Sequence, residues 1–130
     1  MGSPMIFSNS ADAFTGPYQG NVAVGTNIGT QVREIAIQLS GQYSLYVYDL
    51  AETGFVMAYD TTGNLYSGNI DSTLSISPAN TGQTKTLAEL GFFSSGIAVD
   101  STRGRIYVAS QNYNKVAVYN TSGTPLHTIE

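Results

Sequence analysis

An all-β repeat architecture is the fold class this chain predicts, and three observations carry it. First, the small-residue–glycine turns Ser40-Gly41-Gln42, Thr81-Gly82-Gln83 and Ser122-Gly123-Thr124 are evenly spaced, 41 residues apart (82 − 41 and 123 − 82). Second, short β-branched and aromatic runs with period-2 alternation recur around each of these turns. Third, no segment carries a helical period. A repeat of this size marks a unit that cannot bury its apolar face alone and stacks on copies of itself. Twelve short strands in three groups of four are expected.

The units run 5–50, 51–90 and 91–130, and Met1-Gly2-Ser3-Pro4 reads as a cloning remnant. The third unit is the clearest. Gly96 to Asp100 is a short apolar strand followed by the turn Ser101-Thr102-Arg103-Gly104. Arg105 to Ala109 is a second strand, and a polar loop, Ser110 to Asn114, leads to a third at Lys115 to Tyr119. Turn chemistry at Asn120-Thr121-Ser122-Gly123 precedes a last strand from Pro125 to Ile129, with proline at a strand start, where its missing N–H does least harm.

The second unit repeats that order with strands at Val56 to Asp60, Asn64 to Ser67, Thr73 to Ser77 and Thr84 to Ala88. The first is more worn. Its strands are expected at Met5 to Phe7, Asn21 to Val24, Val32 to Gln38 and Tyr43 to Asp49, with an enlarged loop from Ser10 to Gly20.

The spelling Gly96-Ile97-Ala98-Val99-Asp100, Arg105-Ile106-Tyr107-Val108-Ala109-Ser110 and Lys115-Val116-Ala117-Val118-Tyr119-Asn120, followed by Gly123 and Leu126-His127-Thr128-Ile129, resembles the NHL-type repeat of β-propellers. The resemblance is good over the third unit, fair over the second and weak over the first. It implies that each unit is one four-stranded antiparallel blade running outward from a central channel. Propellers typically carry 4–8 blades, so three do not close a ring. Two apolar blade faces would then stand open, which soluble monomers rarely tolerate. The implied solution is a homodimer of three-blade halves closing six blades. A β-trefoil, or more loosely a β-prism, is the alternative: three units of about forty residues with four strands each also describe it, and it would bring carbohydrate binding with it.

Composition limits the chemistry. The chain has no cysteine and one histidine, His127, which excludes thiolate chemistry and multi-histidine zinc sites within one chain. The net charge is −4 and the five basic residues (Arg33, Lys85, Arg103, Arg105, Lys115) are dispersed, which speaks against nucleic acid and against an anionic membrane surface. No apolar run approaches the ~20 residues of a membrane span. No signal peptide is visible in this chain, and its uncharged polar surface is a type common in extracytoplasmic proteins. No cofactor is expected.

NHL-like propellers include scaffolds, binders and lactonase-like hydrolases, so the blade pattern does not choose an activity. Asp60 and Asp100 end the first strands of two units, where a carboxylate would ligate calcium in a metal-assisted hydrolase. In Asp-x-x-Gly and Asp-x-x-x-Gly settings, however, an Asx turn cap is the better reading. Loops after the second strands and connections between units would share one rim. They carry Asn27, Asn69, Asp71, Gln111, Asn112 and Tyr113, together with Glu52, Phe92 and Phe93. Amides with aromatics suit a small-molecule, glycan or peptide ligand through hydrogen bonds and stacking. The competing reading is that the amides satisfy turns and the phenylalanines pack between blades. The expectation is a self-assembling binding module without catalysis.

Overall fold

The computed structural model describes residues 56–79 and 81–130 in full, and of the first unit only strand backbones. Twelve strands are present: β1 (Met5–Phe7), β2 (Gly20–Gly25), β3 (Val32–Leu39), β4 (Tyr43–Leu50), β5 (Val56–Tyr59), β6 (Leu65–Gly68), β7 (Thr73–Ser77), β8 (Lys85–Glu89), β9 (Gly96–Asp100), β10 (Arg105–Ser110), β11 (Lys115–Asn120) and β12 (Pro125–Ile129). Each expected strand is found to within one residue at either end. The enlarged loop, over residues 10–19, and the turn at Gly41 lie outside the described residues, and Gly20 opens β2.

The strands form antiparallel four-stranded meanders in chain order: β5 to β8 and β9 to β12, described to the side chain, and β1 to β4, described as backbone. No helix occurs among the described residues. A β-trefoil joins its repeats through a common barrel, whereas among the described residues no ladder links one sheet to another. That arrangement speaks against the trefoil alternative.

Turn chemistry explains where the strands stop. After β5, the Asp60 carboxylate accepts hydrogen bonds from the Thr62 and Asn64 amides at 3.0 and 2.9 Å, and from the Thr62 hydroxyl and the Asn64 side-chain amide at 2.9 Å each. After β9, Asp100 accepts from the Arg103 amide at 3.1 Å and pairs with its guanidinium at 2.9 Å. After β11, Asn120 Oδ1 accepts from the Ser122 and Thr124 amides at 3.0 and 2.9 Å. One short polar side chain at each strand end thus satisfies the amides that the reversal frees.

The core lies between the second and third sheets. Tyr66 and Leu74 from one, and Ile106, Val108, Ala117 and Tyr119 from the other, form a single buried cluster with Leu90 and Phe92 of the connecting segment. Burying each large side chain contributes roughly 1.5–3 kcal/mol. Between sheets, the first strands are neighbours: β5 lies beside β9 and β1 beside β5.

Candidate functional site

The connection from β8 to β9 and the loop from β10 to β11 meet at one end of the last sheet. Ser95 holds them together. Its amide donates to the Ala109 carbonyl at 2.8 Å, and its Oγ accepts from the Gln111 amide at 3.0 Å. Asn114, with φ 51°, takes the left-handed turn that returns the loop into β11. Between these segments opens a cleft of about 380 Å³ lined by Phe93, Ser95, Gln111 and Asn112. Phe93 is half-buried; the other three are exposed.

The adjacent phenylalanine has a different role. Phe92 is 4% exposed and belongs to the core cluster, as the competing reading of the pair has it. Its ring still reaches the rim through Lys115, whose ammonium lies 4.8 Å from the Phe92 ring centre and 5.4 Å from that of Tyr113. Tyr113 is 62% exposed. Two cation–π contacts hold the lysine beside the loop, each worth about 0.5–1 kcal/mol at an exposed site.

The corresponding loop of the preceding sheet is organised inward. Asn69 is 4% exposed. Its Oδ1 accepts from Ser67 Oγ at 2.7 Å, and its Nδ2 donates to Thr73 Oγ1 and Ser75 Oγ at 3.0 Å each. Every polar atom of that side chain is engaged within the loop, as the turn reading of the amides has it. Asp71 is exposed, and its carboxylate accepts from the Thr73 hydroxyl and amide at 2.6 and 3.2 Å, as a turn cap does. Asn27 and Glu52 lie outside the described residues.

The structure therefore brings together Phe93, Gln111 and Asn112 at the cleft, with Tyr113 on the same loop beside Lys115, while the side chains of Asn69 and Asp71 are engaged within their own loop. Two participants escaped the sequence reading. Lys115 follows the aromatic Tyr113 by two residues, a signal that was present but looked like an ordinary strand start. Ser95 carries no sequence signal. Asp60 and Asp100 are occupied as caps, and among the described residues no group of three or more acidic or histidine side chains is placed to hold a metal. His127 sits on the exposed outer strand β12.

Chemically the cleft offers amide donors and acceptors, a hydroxyl, a half-buried aromatic ring and a nearby cation. By its chemistry that inventory suits polar, uncharged or weakly anionic groups. Comparison with protein-family models and with curated proteins finds no match for this chain.

Proposed function

We propose that the chain is a self-assembling scaffold of NHL-type β-propeller blades that presents a non-catalytic binding rim. One observation carries the reading: successive sheets share no ladder, yet their first strands are neighbours, β1 with β5 and β5 with β9. Radial blades around a channel have that relationship, because their innermost strands converge. Two copies of three blades give six, within the usual range for closure.

The rim cleft at Phe93, Ser95, Gln111 and Asn112 is the surface assigned to a small-molecule, glycan or peptide ligand. Light scattering after size exclusion, across a range of concentrations, tests the assembly. One chain is 13.8 kDa, so a particle of about 28 kDa (2 × 13.8) is expected. A single-chain mass throughout overturns the reading. For the rim, the double substitution Gln111→Ala with Asn112→Ala should abolish signals on glycan and peptide arrays while leaving the mass unchanged.

A further inference from the structure

The sheet β9–β12 has two faces of unequal fate. One presents Ile106, Val108, Ala117 and Tyr119 to the core shared with β5–β8. By strand register, the other carries Ala98, Tyr107, Ala109, Val116, Val118 and Ile129 in neighbouring rows, with His127 beside Val118 and with Arg105 and Asp100 at its edge. These six apolar or aromatic side chains range from fully buried at Val118 to exposed at Ala98 and Ile129, and no other sheet among the described residues packs on them.

The repeat says what such a face is for. Register places Tyr107 and Val116 at the positions that Tyr66 and Leu74 hold in the preceding sheet. Tyr66 and Leu74 are 1% and 0% exposed, because the sheet β9–β12 lies over them. Tyr107 and Val116 are only half-buried, Ala98 is exposed, and Ile129 is 50% exposed. Val118, at the centre of the same face, is already buried. Equivalent faces are thus covered in one sheet and open in the next.

The preceding sheet also shows a series in both directions. Its opposite side holds Leu65, Ser67, Ser75 and Ser77 at 0–1% exposure, with β1 next to β5 as β5 is next to β9. The sheet β5–β8 is therefore buried on both faces, by its successor on one side and with its predecessor's first strand beside it on the other. The surface that fits the open face is therefore a further meander of the same kind.

We propose that the open face of β9–β12 docks the β1–β4 sheet of a second copy of this chain, head to tail. The proposal rests on the self-assembly reading above and names the surface that carries it. Each contact joins different patches of the two copies; twofold symmetry makes it twice and closes the pair on itself. It continues the interface already present between β5–β8 and β9–β12, with the same rows of residues on the accepting side.

Ile129→Lys and Ala98→Arg test it, since both positions are exposed and neither enters the core cluster. A charge placed in this face costs the contact its desolvation. The mass by light scattering should fall twofold, to one chain of 13.8 kDa, with the β-type circular dichroism of the parent retained. Tyr113→Ala, at the rim, should keep the parent mass. If the parent is a dimer and both folded variants remain dimers, the face is not the interface, although self-assembly stands. If the parent itself is a single chain at every concentration, the inference and the self-assembly reading fall together.

Discussion

The backbone amide of Thr61 donates to the hydroxyl of Ser101 at 3.0 Å, joining corresponding turns of two successive repeats. Thr61 follows the cap residue Asp60, as Ser101 follows the cap residue Asp100. The chain therefore bonds to its own copy at the same place in the pattern. That contact orients one sheet on the next beside the neighbouring first strands β5 and β9. Ser101→Ala should cost only about 0.5–1 kcal/mol, because the exposed Thr61 amide regains a water molecule. Urea unfolding with an unchanged slope and a slightly lower midpoint is the expected result.

Asn69 and Ser110 occupy the same place in successive repeats and should respond in opposite directions. Asn69→Ala removes the acceptor of the buried Ser67 hydroxyl and the donor that ties Thr73 and Ser75 together, while Thr73 keeps its bond to Asp71. A loss of about 1–3 kcal/mol is expected, the cost of stranding the Ser67 hydroxyl. Ser110 is 2% exposed and its Oγ has no hydrogen-bond partner among the described residues. Ser110→Ala removes a desolvated hydroxyl and should be neutral or slightly stabilising. Thermal or urea unfolding of the two variants decides the matter.

These two positions also mark how far the sequence could be read. The strand at Lys115–Asn120 was legible because Val116, Ala117, Val118 and Tyr119 alternate between faces under strong β-propensity. The caps at Asp60 and Asp100 were legible because a short carboxylate before a glycine turn has few other uses. The pair Phe92-Phe93 was not. Adjacent residues on a connection point apart, and only the fold decides that Phe92 enters the core while Phe93 borders a cleft. Asn69 was no more legible, for a related reason. An asparagine in a polar loop looks available until Ser67 and Ser75, two and six residues away, close on it from neighbouring strands.

Gly123 and Gly104 both sit in left-handed backbone, at φ 88° and 63°, yet they should not be equally sensitive. A Cβ at Gly104 meets nothing within 4 Å, so Gly104→Ala carries only conformational strain, about 1 kcal/mol. A Cβ at Gly123 would strike the backbone carbonyl of Leu87 in the preceding sheet. Backbone cannot step aside as a side chain can, so Gly123→Ala adds a steric cost and should destabilise by roughly 3 kcal/mol or more. Equal losses in the two variants, measured by urea unfolding, would remove the close approach of β8 to the β11–β12 turn from the account.

Tyr66 links the core to a turn cap, and alkaline pH should reveal it. Burial, followed by the charge and hydrogen bond of Asp60, pushes its hydroxyl from 10.0 up to about 12. The folded state therefore favours the neutral phenol. Its contribution to stability is fully present below pH 10.0 and is lost as pH rises from there toward about 12. Burial raises Tyr119 as well, so some alkaline loss persists without Tyr66. Tyr66→Phe should give up about 1 kcal/mol at neutral pH through the lost hydrogen bond to Asp60. Between pH 10 and 12 its stability should fall less steeply than that of the parent. Parallel urea titrations across that range, with tyrosinate absorbance followed in the folded state, make the comparison. Identical slopes for parent and variant would mean that Tyr66 ionises as readily in the fold as in the unfolded chain.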